Sequence, residues 1–188
     1  MINVDRAKFF VLYRDKLDGV LTQSEVDGLN SLLDNFEKEE RVSMLEHYAY
    51  ILATVLHETA KTMQPIKEYG LGKGRAYGTP QGHYRKVYYG RGYVQLTWLK
   101  NYQTMAQITG EPLVARPDLA LEPNIAYTIM IEGMNRGLFT GISLNRCISP
   151  ESIDYVKARR IINGTDKAQL IAGIAKTFEN ILRESQTE

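Results

Sequence analysis

Between Met44 and Leu56 the apolar residues Met44, Leu45, Tyr48, Ile51, Leu52, Val55 and Leu56 recur at intervals of one, three and four, the spacing of one face of an α-helix. Such a stripe must face a core, so the segment predicts a central helix on which the rest of the chain packs. Pro65 disfavours helical geometry in its predecessor, which ends the helix by Gln64. At about 100° per residue, Glu58 falls beside Ile51 on the border of the stripe, with His57 turned further toward solvent. Glu58 is therefore expected to be half-buried near the negative end of the helix dipole.

The same stretch, "LHETAK", is one residue short of the His-Glu-x-x-His pattern that sets two imidazoles on one helix face for zinc. Lys61 holds the place of the second histidine. With three scattered histidines and one cysteine, Cys147, neither a zinc site nor a disulfide framework is expected. The expectation is no cofactor and no metal, with Cys147 an inert thiol. A chain of 188 residues, 44% hydrophobic, is long enough for one good core. We expect a single catalytic domain over 1–188, with residues 1–42 as a helical hairpin packed on a 43–188 core. The N-terminal apolar run is broken by Asp5, Arg6 and Lys8, which does not suit a signal peptide, and no later stretch suits a membrane span. The expected product is soluble, made in a cytoplasm and not stably inserted in a membrane.

The net charge of +1 hides a local separation. From Lys61 to Lys100 eight basic residues (Lys61, Lys67, Lys73, Arg75, Arg85, Lys86, Arg91, Lys100) face one acid, Glu68. A segment so basic favours an anionic partner, whether nucleic acid, a membrane surface or an acidic polysaccharide. The first 40 residues do not supply a competing function. A turn is expected at Asp18-Gly19, and Thr22 with Glu25 forms the T-x-x-E pattern of a capping box at the start of the second helix. A calcium loop with Gly19 at its sixth position would place Arg14 where a carboxylate is needed. As a helix-turn-helix reader the second helix would present Glu25, Asp27 and Asp34 to phosphate, which repels them.

Residues 65–97 change character: seven of the fifteen glycines and six of the twelve tyrosines lie there. "KVYYG" and "YVQLTW" are candidates for small strands, with no long sheet. Helices are expected to return from Leu99 to Thr109, stopped by Gly110, from Pro123 to Arg136, after Ser149-Pro150 as cap and first residue, and from Asp166 to Arg183. The last carries Leu170, Ile171, Ile174, Phe178, Ile181 and Leu182 on one face. The fold class is mainly α, an α-rich domain interrupted by one irregular, basic loop region.

A carboxylate at the edge of an apolar stripe and near a helix C-terminus has its charged form disfavoured by desolvation and by the dipole. That suits a general acid. Glu68, in "PIKEYGLGKGR", has Lys67, Lys73 and Arg75 for neighbours and is expected to stay ionised. Two carboxylates pushed apart in this way match the acid and base of glycoside hydrolysis, which in inverting enzymes stand roughly 6.5–9.5 Å apart around a water. Tyrosines on glycine-rich backbone suit stacking on sugar faces, and Gln95, Thr97 and Asn101 could supply directional bonds. From these residues alone a glycosidase, a nucleic-acid or cell-wall binding module and a structural role all stay open.

"HETA" on a helix, "YYGRGYVQLTWLKNY" some thirty residues on and "RIINGTD" before a final helix resemble the ordered motifs of family 19 glycoside hydrolases, the plant-type chitinases and related phage endolysins. The lack of disulfides, "PIKEYGLGKGRAYG" and the hairpin with "LTQSEVDGLN" resemble the phage and prophage endolysin branch. The resemblance spans roughly residues 1–183. It implies a lysozyme-like fold in which Glu58 is the general acid and Thr97 positions the attacking water, while Glu68 as base rests on its basic surroundings and the endolysin-like loop. It implies substrate binding by Tyr89, Arg91, Gln95, Asn101 and Asn163. Two departures stand out: the second glutamate follows the first at a shorter spacing than in the chitinases, and Thr165 replaces the second glycine of the I-N-G-G motif. Trp98 is expected in the core, and His57 as a helix residue orienting its neighbours.

The resulting expectation is an endolysin-type lysozyme that cleaves β-1,4 bonds of peptidoglycan with inversion. It would be a monomer with no nucleic-acid partner, accumulating in the host cytoplasm and reaching the periplasmic wall once the membrane is permeabilised. A chitinase and a non-catalytic wall-binding module are the alternatives.

Overall fold

The computed structural model describes residues 2–17 and 19–187. Two compact units divide the chain: one runs to Met63 and resumes at Gly133, and the other comprises Gln64 to Glu132. In the larger unit α1 (Arg6–Lys16) starts at Asp5, whose side chain accepts from Lys8 N at 3.0 Å. α2 (Gln23–Phe36) has the expected capping box, in which Thr22 and Glu25 satisfy each other's backbone donors. The turn between these helices involves Asp18, which lies outside the described residues.

α3 (Leu45–Glu58) is more central than its stripe implied, because every residue from His47 to Leu56 is buried. It ends six residues earlier than Pro65 requires. Ala60, Lys61 and Met63 all take left-handed backbone (φ 50°, 70° and 55°), which breaks the helix before the proline can. α7 (Ala168–Ser185) packs along α3 and α1, burying Ile171, Phe178, Ile181 and Leu182, and the Tyr13 and Phe178 rings meet at 5.8 Å. Leu170, expected on that buried face, is instead exposed. The two ends of the unit are tied together, Asp5 N donating to Ser185 O at 2.8 Å and Thr187 N to Asn3 O at 3.0 Å.

Ser149-Pro150 does not open a helix. It turns a hairpin between β3 (Ile148–Ser149) and β4 (Ser152–Ile153), with Ser149 opposite Ser152. Pro150 and Glu151 form the two-residue loop, where the fixed φ of proline serves a turn as well as it serves a first helical position. The helix that follows, α6 (Tyr155–Ala158), is capped by Asp154, which accepts from Lys157 N at 2.8 Å.

In the smaller unit the strands also fall elsewhere. β1 (Ile66–Lys67) pairs antiparallel with β2 (Arg91–Gly92), and neither "KVYYG" nor "YVQLTW" forms a continuous strand. Positive φ at Gly92, Gln95 and Trp98 (86°, 54° and 73°) folds "YVQLTW" into a tight loop closed by hydrogen bonds between Arg91 and Leu96. α4 (Leu99–Thr109) stops at Gly110 in left-handed conformation, and α5 (Pro123–Arg136) carries the chain out of the unit.

His47 makes the stability of this fold pH-dependent. It is buried on α3, and its Nε2 lies 2.9 Å from Ile148 O, so Nε2 carries the hydrogen that this carbonyl accepts. Burial lowers the imidazole pKa below its ordinary 6.5, outweighing the carbonyl and nearby Glu46. The unfolded chain therefore binds this proton more readily than the native one, so stability is full above about pH 6.5 and declines as pH falls toward the lowered value. The urea midpoint is expected to drop between pH 7.5 and 5.5, and His47→Gln, which keeps the donor, to flatten that slope. An unchanged slope in the variant would exclude His47 as the cause.

Candidate active site

Glu58 is the last residue of α3, and its side chain is 15% exposed, at the edge of the core as its helical position requires. Its Oε1 accepts a hydrogen bond from Arg159 at 2.5 Å. Arg159 is 3% exposed and stands at the junction of α6 and the 3-10 turn Arg159–Ile161. Its Nε donates to Asp166 O at 3.0 Å, and its own carbonyl accepts from Asn163 N at 3.1 Å. One buried guanidinium thus fixes both Glu58 and the loop that carries Asn163. The expectation of a neutral acid weighed burial and the helix dipole and left this cation out. Asn163 itself is exposed, with its Oδ1 accepting from Gly164 N at 2.8 Å. Behind Glu58, His57 is half-buried and lines an apolar recess with Tyr13, Leu17, Leu56 and Leu170.

In the smaller unit Glu68 is held just as closely. Its backbone N donates to Gly90 O at 2.8 Å, and Gly90 N returns a bond to Glu68 Oε2 at 3.0 Å. Oε1 accepts from the Tyr77 hydroxyl at 3.1 Å. A Cβ at position 90 would stand 2.8 Å from Gln95 Oε1 and 3.3 Å from Glu68 Oε2, so any larger residue there would displace these two side chains. Gln95 spends its amide donors on Ile66 O and Gly92 O, both at 3.2 Å. Thr97 Oγ1 donates to Gln95 O at 2.7 Å, so what it offers a water is lone pairs. Asn101 Nδ2 donates to Thr97 O at 2.9 Å. Glu68 is bonded to Gly90, and Gln95, Thr97 and Asn101 form a second bonded chain whose Gln95 side chain lies against Gly90.

The Arg91 and Tyr89 side chains join neither group. Arg91, expected to bind substrate, is 4% exposed, and its donors go to Asp118 at 2.7 Å, Val87 O at 3.1 Å, Tyr89 O at 3.2 Å and Tyr102 Oη at 3.1 Å. It is an internal brace, with the half-buried Tyr89 ring 3.6 Å under its guanidinium. Asp118 also takes Lys67, at 2.9 Å. Burial would raise the Asp118 carboxyl, but the hydrogen bonds and charges of Lys67 and Arg91 outweigh it and hold the pKa below the usual range. Two of the eight basic residues thereby share one carboxylate, which offsets one of their two charges. Lys73, Arg75, Arg85, Lys86 and Lys100 stay exposed.

Trp98 reverses its expectation. It is 47% exposed and meets the Tyr77 ring edge-on at 5.2 Å between centroids. Sequence reasoning missed Arg159, Tyr77 and Gly90. Adjacent arginines before "IINGT" were the one available signal for the first, and only the fold separates buried Arg159 from exposed Arg160. Cys147 is buried, which pushes its thiol pKa up and makes it a poor nucleophile. Among the described residues no group of three His, Cys, Asp or Glu side chains could hold a metal ion.

The class is a mainly α, lysozyme-like fold carrying two fixed carboxylates. Similar proteins point the same way. Chitinase C from Streptomyces griseus matches with a TM-score of 0.65 at 24% identity, over 98% of this chain and 78% of that one. A bacterial family 19 chitinase matches with a TM-score of 0.65 at 22% identity, over 95% and 94% of the two chains. At these identities the likeness is one of fold, the fold of family 19 chitinases. An endochitinase from Arabidopsis thaliana is 28% identical over 138 residues, 61% of this chain and 47% of the relative, so the match spans about half of that protein's length. No family model matches the chain.

Proposed function

We propose that the chain is a family 19 glycoside hydrolase that cleaves β-1,4 bonds of an N-acetylglucosamine-containing glycan by general acid and base catalysis. The observation that carries this reading is the Glu68 carboxylate, bonded at both oxygens, in the same unit as the Thr97 hydroxyl, which donates to Gln95 O and keeps its lone pairs for a water. In the proposed reaction Glu58 gives its proton to the glycosidic oxygen as the bond to the anomeric carbon breaks. A water accepted at Thr97 attacks that carbon from the opposite face and passes its proton to Glu68, inverting the configuration. Arg159 holds Oε1 of Glu58 and so aims the other oxygen.

Peptidoglycan is the substrate we favour, because its strands carry carboxylates and the smaller unit exposes Lys73, Arg75, Arg85 and Lys86. In that setting the enzyme acts as an endolysin: a monomer made in the host cytoplasm that degrades the wall once the membrane has been permeabilised. The names of the relatives favour a second reading, with chitin as the polymer. Digestion of purified sacculi and of chitin, with mass spectrometry of the new chain ends, separates the two. Reducing N-acetylmuramic acid ends are expected. Soluble products from chitin alone would move the assignment to chitinase, 1,6-anhydro ends would replace hydrolysis by transglycosylation, and binding without any product would leave a wall-binding module.

A further inference from the structure

Tyr77 has no part in the reaction as proposed, yet its hydroxyl donates to Glu68 Oε1 at 3.1 Å. Several features seat it there. It lies in the 3-10 turn Ala76–Gly78, which packs against Gly72 so closely that a Cβ on Gly78 would fall 1.8 Å from Gly72 O. A Cβ on Gly72 would in turn approach the Tyr77 ring to 3.2 Å. On its other side the edge of Trp98 meets the ring at 77°. Burial, and then the neighbouring carboxylate, raise the phenol pKa, so Tyr77 keeps its proton and remains a donor.

We propose that Tyr77 is the positioning residue of the general base: its hydroxyl and the Gly90 amide hold the two oxygens of Glu68, and Trp98 holds Tyr77. The inference rests on the assignment of Glu68 as base. A carboxylate with both oxygens tied cannot rotate away from the water it must deprotonate. Of the basic residues on neighbouring segments, Lys67, Lys73, Arg75 and Arg91, two (Lys67 and Arg91) are bound to Asp118, whereas Tyr77 and Gly90 bond Glu68 directly.

The test is Tyr77→Phe, which keeps the ring and its contact with Trp98 and removes one hydroxyl. Without that donor kcat is expected to fall about tenfold, with KM within about twofold of wild type. A merely structural hydroxyl would change the melting temperature and leave kcat and KM in place. Wild-type kcat, with Glu68→Gln inactive, would overturn the role of Tyr77 alone. Activity retained in Glu68→Gln would overturn the base assignment and the role of Tyr77 with it.

Discussion

Glu58→Gln is expected to lower turnover of sacculi by about three orders of magnitude, within the 10²–10⁴ that one general acid contributes. The substitution is nearly isosteric, and its amide oxygen still accepts the hydrogen bond that Arg159 gives to Oε1. The fold should therefore be retained, with a lowered melting temperature, because the buried Arg159 keeps its hydrogen bond and loses its counter-charge. What the amide lacks is an acidic proton for the leaving oxygen, without which the departing sugar would have to leave as an alkoxide. Because the lost interaction exists only in the transition state, kcat should carry the loss and KM should change little. Turnover within tenfold of wild type would remove Glu58 from the mechanism and with it the assignment of acid and base.

Arg159→Met is expected to have the largest effect on stability. It leaves Glu58, whose side chain is 15% exposed, without its cation, and it strips Asp166 O of its donor. Removing one partner of a buried ion pair costs about 3–5 kcal/mol, since the remaining charge is left desolvated. For a chain of 188 residues that corresponds to a fall in melting temperature of roughly 6–20 °C. Because the Arg159 guanidinium also anchors the loop that carries Asn163, by donating to Asp166 O, activity should fall in the same variant. The double variant Glu58→Gln with Arg159→Met separates the two effects. If the ion pair is the source of the cost, urea unfolding should place the double variant about 1–3 kcal/mol above the sum of the single ones. Additive losses would show that Arg159 stabilises through packing and the Asp166 bond alone.

Local signals carried most of the helical layout. α4 and α5 fall where Gly110 and Pro123 place them, and the capping box of α2 forms as Thr22 and Glu25 predict, because each depends on a few consecutive residues. Ser149-Pro150 failed for the same reason in reverse: a serine and proline pair fits a hairpin turn as well as a helix start, and the pairing of Ile148 with Ile153 decided between them. Trp98 and Arg91 failed in opposite senses. Trp98, a large aromatic that composition places in the core, is exposed, and Arg91, which the motif places on the substrate, is buried on Asp118, a residue 27 positions away.

The sequence by itself determined that a central helix ends near Glu58 and that a glycine- and tyrosine-rich segment with Glu68 follows it, since helical period, proline and glycine act over a few residues. Only the tertiary structure decided what holds those carboxylates. Arg159 reaches Glu58 across 101 positions and Gly90 reaches Glu68 across 22, separations that no local period encodes. The physical reason is that a side chain's hydrogen-bond partners are chosen by which segments the packed core brings together. "LHETAK" could therefore announce a glutamate at a helix edge, and only the fold could supply the arginine that aims it.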